Sequence, residues 1–295
     1  MALPTYTTKG QRVGYYTYLT YCGLVFFFLI APIFIIIPLS FNQSPFFGFT
    51  PEMLRLDPDA FSIRWYRQML GICRDEDIIT TVCTKKWMIG TVNSFFIGIV
   101  ATVIATALGT LAALGLSRPH MPFKGLIMAI LISPMIVPLI ITAAGMFFFY
   151  ARINLVYTFT GVILAHVALA TPFVVITVTA TLVGFDMNMV KAAQSLGARP
   201  VKTFFRVIMP LILPGIISGA LFAFITSFDE VVIVMFMASL DQLTIPKQMW
   251  AGIRQEISPV ILCMATCLVA LSIFLLTTVE LLRRRSERLR GIKPR

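Results

Sequence analysis

Apolar residues along this chain come in long unbroken runs. Six stretches, at 13–41, 89–117, 125–151, 153–185, 207–228 continuing through 231–240, and 257–279, contain no Lys, Arg, Asp or Glu. A hydrocarbon core about 30 Å thick needs roughly 20 apolar residues in a helix, because only an internally bonded backbone satisfies its N–H and C=O groups away from water. The pattern therefore predicts an all-α membrane protein with six transmembrane helices. The first stretch follows Lys9 and Arg12, but it is longer than the apolar run of a secretory signal and no small-residue cleavage site follows it. A retained anchor is expected.

Two of the connecting segments are organised. In 42–88, Phe61, Trp65, Met69 and Leu70 fall at helical spacing, which predicts a short interfacial helix with its aromatic face down. Cys73 and Cys83 follow in the same segment, and an oxidising compartment could join them; two free thiols are the alternative. In 186–210, Asp186 suits a helix N-cap, Gly197 suits the left-handed residue that ends that helix, and Pro200 suits the first turn of a second. Pro210 and Pro214 are expected to break away into the next span. Ala192 and Ala193 offer a low surface for close approach of another backbone. An amphipathic elbow resting on the bilayer fits the same pattern.

Composition agrees with the membrane reading: 58% hydrophobic and 13% charged residues, with a mean hydropathy of +0.89, exclude an ordinary soluble domain. The net charge of +11 is informative only by position. Alternating the sides puts fifteen Lys and Arg with the two termini and the 118–124 and 186–206 turns, against nine opposite, where six lie in the long segment beside six acids. Both termini are therefore expected in the cytoplasm. The Arg283–Arg285 run and the basic tail read as a stop-transfer anchor on anionic lipid, and no nucleic-acid partner is expected. Five Cys and two His form no CxxC, HExxH or clustered ligand set, and no P-loop is present, so neither a metal centre nor P-loop nucleotide binding is expected in this chain. Cys263 and Cys267, one helical turn apart in the last run, are expected to pack.

Charged groups at membrane depth are costly and point to function. Asp229 lies 15 residues after Pro214, with Glu230 next, roughly 22 Å of helical rise, which places the pair in the outer half of the bilayer. Neighbours on a helix point about 100° apart, so one is expected to face a pathway and the other an internal partner. An interhelical hydrogen bond or ion pair is the structural alternative. His166, six residues before Pro172, is expected to hydrogen-bond a neighbouring helix. None of these residues forms a catalytic triad or a paired-carboxylate site.

Ala192-Ala193, Leu196-Gly197-Ala198, Phe204, Val207 or Ile208, Pro210 and Pro214-Gly215 resemble the EAA loop of binding-protein-dependent ABC transporter permeases. Asn93-Ser94, Gly115-Leu116-Ser117-Arg118 and the Ser227–Val232 run fit that family too. The last run, with Leu243-Thr244-Ile245-Pro246 and Ile257-Ser258-Pro259, is similar to the spermidine/putrescine branch. The likeness covers about 87–282.

It implies a type I ABC importer permease fold in a bacterial inner membrane, with no enzymatic activity of its own. By the same resemblance, Lys191, Ala192, Ala193, Gly197, Phe204 and Pro210 belong to a loop that couples to a cytoplasmic ATPase dimer, which binds the ATP and Mg. The partners implied are a second permease subunit and an extracytoplasmic substrate-binding protein. Asp229 and Glu230 would line the path of a polyamine moved inward by alternating access. The family's usual Glu before the Ala pair is Lys191 here, so an ion pair made by that Glu is lost or reversed unless the partner has changed. Along the chain, the expected parts are 1–41, the extracytoplasmic segment 42–88, a five-helix core 89–282 that includes the 186–210 loop, and the tail 283–295. An amino acid, opine or other small solute is the alternative cargo, and a membrane-embedded enzyme the alternative class.

Overall fold

The computed structural model describes residues 7–72, 85–118, 120–183, 185–186, 188–255 and 258–289. Cys73 and Cys83 lie outside the described residues. In chain order the helices are α1 (Lys9–Leu39), α2 (Pro51–Leu54), α3 (Arg64–Met69) and α4 (Lys86–Leu116). Then come α5 (Lys124–Ile136), α6 (Leu139–Arg152), α7 (Phe159–Val183), α8 (Asn188–Ser195) and α9 (Pro200–Thr203). The chain continues with α10 (Met209–Phe228), α11 (Val232–Met237), α12 (Ile245–Gln255) and α13 (Val260–Leu289). The extended pairing described is a single bridge between Asn42 and Phe61. The chain divides into two compact units, Lys85–Arg254 and Met1–Thr84 with Gln255–Arg295.

In the first of these, α7 packs against both α4 and α10, and those two also meet each other. Small residues allow it. Ala101, Ala105 and Ala113 of α4, Ala165 and Ala170 of α7 and Ala223 of α10 are fully buried. At Gly109 an added Cβ would lie 2.6 Å from Val174 Cβ, and at Gly219 it would lie 3.0 Å from the Val174 backbone. Gly215, one turn before Gly219, sits as tightly against Thr181. Close backbone approach of this kind supplies the packing that lipid, as apolar as the side chains themselves, cannot drive.

Among the described residues, five helices are long and apolar enough to cross a membrane, and a bent pair, α5 with α6, makes up to six. The 125–151 run is therefore not one straight helix; its halves meet at 103°. The cause is local. Val137 precedes Pro138 and takes an extended conformation, φ −71° and ψ 135°, because the proline ring disfavours the helical one. The run after Val207 differs in the opposite way. Pro210 and Pro214 do not break the chain: the span continues from Pro200 to Phe228, and a turn of π-helix at Phe204–Ile208 widens the spiral ahead of Pro210. That span then stops at Phe228 instead of running on to residue 240.

In the second unit, α1 packs on α13, and α3 also contacts α13. None of the residues of α1 is buried, consistent with a lipid-facing span. Trp65, expected on the aromatic face of the short helix, is turned into the protein. Its indole is buried and donates through Nε1 to the Asn42 carbonyl at 2.8 Å, a partner that draws it inward. Beside it, the Tyr66 hydroxyl shares a 2.6 Å hydrogen bond with Ser40, and burial raises the Tyr66 pKa, keeping the phenol neutral. Cys263 is buried and donates to the Ser40 carbonyl. This packing joins the last apolar run to the N-terminal segment.

Candidate functional site

The 186–210 segment forms a helical elbow. Asp186 Oδ1 accepts from the Asn188 N–H at 2.9 Å and starts α8. Gly197 ends it at φ +76°, a conformation open to glycine without a Cβ penalty, while Ala198 N–H reaches back to the Ala193 carbonyl at 3.0 Å. Arg199, extended, then caps α9, with Pro200 in its first turn.

Lys191, Ala192 and Gly197 are exposed, Ala193 is half-buried, and Leu196 at the tip is 88% exposed. Val201 and Phe205 add further exposed apolar surface, and Lys191, Arg199 and Lys202 in the same segment are exposed cations. An elbow that exposes apolar and cationic side chains together suits a protein surface with a matching groove. Phe204 is half-buried and lines a cavity under the elbow, and Pro210 lies in the continuous helix beyond the π turn. The six residues thus share one segment without sharing one face.

At the other end of α10 the helix stops at Phe228, and the two acids part. Asp229 is exposed, whereas Glu230 is 7% exposed and accepts from the Ile233 N–H at 2.9 Å. Glu230 thereby serves the N-terminal end of α11. At the opposite end of α11, Lys247 Nζ donates to the Val234 and Ala238 carbonyls at 3.3 and 3.4 Å. A carboxylate at the start and an ammonium at the finish both oppose the helix dipole, so this short helix is held by charge at each end. Sequence reasoning missed Lys247, because nothing local relates it to carbonyls 9 and 13 residues earlier.

The segment after α11 is fastened to α4. Asn93 Nδ2 donates to the Asp241 and Leu243 carbonyls at 2.7 and 3.0 Å, and Ser94 Oγ accepts from the Ile245 N–H at 2.8 Å. His166 is buried, and its Nδ1 shares a 2.8 Å hydrogen bond with Ser227 of α10, while Nε2 has no partner among the described residues. The bond ties α7 to α10 just before the helix break. Around that break, the Phe228 ring lies 5.2 Å from Phe95 and 5.3 Å from Phe224, so three half-buried aromatic rings cluster where the helix stops, one residue before exposed Asp229.

Comparison with known proteins bears on this arrangement. The spermidine/putrescine transport system permease protein PotC of Haemophilus influenzae is 27% identical over 264 residues, covering 90% of this chain and 95% of its own. The putrescine transport system permease protein PotI of Escherichia coli is 30% identical over 251 residues, 82% of each chain. In fold, the chain is similar to a chain in the crystal structure of a bacterial ABC transporter involved in the import of the acidic polysaccharide alginate. The TM-score is 0.70 at 15% identity, covering 94% of this chain and 99% of that one. Residues 105–288 match the family described as binding-protein-dependent transport system inner membrane component, a stretch that holds the elbow, the α10 break and the α11 caps. With more than half its length in that match, the chain belongs to this family, as an inner-membrane permease subunit of an ABC importer.

Proposed function

We propose that this permease passes small polyamines inward by alternating access, driven by a cytoplasmic ATPase dimer that seats on the α8–α9 elbow. It works beside a second permease subunit and below an extracytoplasmic binding protein. Support for the cargo comes from the names of the PotC and PotI relatives. Within the chain, the observation that carries the reading is Asp229, an exposed carboxylate that directly follows Phe228, whose ring clusters with those of Phe95 and Phe224. A carboxylate and aromatic faces together suit an alkylammonium group: the acid supplies a charge-assisted hydrogen bond and the rings supply cation–π attraction. Glu230, engaged with the Ile233 N–H, acts in this reading as the support that orients the segment.

The test compares Asp229→Asn and Glu230→Ala in the assembled importer for complex yield, basal ATP hydrolysis, and uptake of labelled putrescine beside a neutral solute. Asp229→Asn is expected to preserve yield and basal hydrolysis and to weaken putrescine uptake by about one to two decades, since a charge-assisted contact is worth about 1.5–3 kcal/mol. Glu230→Ala is expected to lower the yield, because it leaves the start of α11 uncapped. Wild-type putrescine uptake by Asp229→Asn would remove this residue from the pathway, and an equal loss for the neutral solute would point to another cargo.

A further inference from the structure

The elbow covers a space. An open cavity of about 900 Å³ lies beneath it, bounded by the ends of α4 and α7, by the elbow helices and by the π turn. The half-buried side chains of Leu114, Leu182, Phe185, Phe204 and Ile208 form its apolar wall. The exposed side chains of Arg118, His120 and Gln194 stand at its rim. No carboxylate lines it among the described residues, and Asp186, next in the chain to Phe185, directs its carboxylate to the Asn188 N–H. The Ser117 and Thr203 hydroxyls already donate to the Leu114 and Arg199 carbonyls, so recognition of an acceptor falls to the three rim side chains. The Arg118 side chain makes no ion pair or hydrogen bond among the described residues.

We propose that this cavity binds an anionic phospholipid, its phosphate at Arg118, His120 and Gln194 and its acyl chains along the apolar wall. Three properties point to that occupant. The lining joins a cationic rim to a hydrocarbon wall, which matches an amphiphile better than a soluble anion. The cavity opens where α4 and α7 end, on the side that the Lys and Arg distribution along the sequence assigns to the cytoplasm, where anionic lipid is attracted. Its volume lies within the range of small-molecule sites. The site does not depend on whether the elbow docks an ATPase.

Native mass spectrometry of the full-length chain, and of the importer assembled with it, tests this with phosphatidylglycerol and phosphatidylcholine as probes. Both lipids bring a phosphate, but the choline ammonium is repelled by the cationic rim, so phosphatidylglycerol is expected to be retained about tenfold more strongly, the size of one charge-assisted contact. The double variant Arg118→Gln/His120→Gln should remove the preference. Gly115→Phe should reduce retention without changing charge: Gly115 lines the cavity, and an added Cβ there meets only Met121 Sδ, at 3.9 Å, so a larger side chain has room to start into the space. Lys202→Gln, an exposed cation outside the lining, should leave the preference intact.

Equal retention of the two lipids would overturn the proposal, as would a loss in Lys202→Gln matching that in the double variant. Full displacement by glycerol phosphate would assign the cavity to a soluble phosphate. Loss of bound lipid from the assembled importer alone would assign it to a partner subunit.

Discussion

Glycines set the distances on which the α4–α7–α10 packing depends. Gly109 meets Val174 from one side, while Gly215 and Gly219, one turn apart on α10, meet Thr181, Thr177 and Val174 from the other. A side chain at Gly219 has to displace backbone atoms of α7, which cannot move away as the end of a flexible side chain can. Gly219→Leu is therefore expected to cost about 1–3 kcal/mol by overpacking, lowering the melting temperature or yield of the full chain in detergent. Gly145→Ala, where nothing lies within 4 Å of the added Cβ, should leave both unchanged. Equal behaviour of the two variants would remove the packing role from Gly219. The same scale shows the limit of reading side chains from sequence. Asp229 and Glu230 are adjacent carboxylates in one apolar run, and only the fold turns one inward to the Ile233 N–H and leaves the other exposed.

At the scale of elements, the elbow was legible because its punctuation is local: Asp186, Gly197 and Pro200 act through backbone conformations that each residue type favours by itself. The prolines of α10 were misread for a related reason. Proline removes one N–H and crowds the preceding turn, but the π turn at Phe204–Ile208 widens the spiral ahead of Pro210, Pro214 is held inside the helix, and no residue in that stretch signals a wider turn. Pro138 does break its helix, because Val137 yields to the extended conformation. The coupling role proposed for the elbow predicts the effect of Gly197→Val. Holding a branched residue at φ +76° costs about 1–2 kcal/mol, enough to loosen the turn between α8 and α9. Co-purification of the ATPase should fall while membrane insertion stays normal. Wild-type recovery of the ATPase, with wild-type uptake, would separate the elbow from coupling.

For the whole molecule, the two compact units have different stabilising contacts, and this has a testable consequence. Trp65 is 2% exposed, and its only described hydrogen-bond partner, Asn42, lies in the same unit. Trp65→Ala is expected to cost about 3–5 kcal/mol there. Hydrogen exchange should then rise across residues 41–72 and stay unchanged in α4, α7 and α10. Protection lost evenly over both units would show that they do not respond separately. By itself the sequence determined the membrane class, the six apolar runs and the family of the chain. These follow from run length, composition and a short motif, all of which are properties of neighbouring residues. Only the tertiary structure decided which of Asp229 and Glu230 caps α11, where Lys247 reaches, how Asn93 and Ser94 hold residues about 150 positions away, and that a cavity lies under the elbow. Hydrophobic burial is non-directional and leaves those pairings open, whereas a buried polar group has to find one specific partner, and that partner is set by how the helices pack.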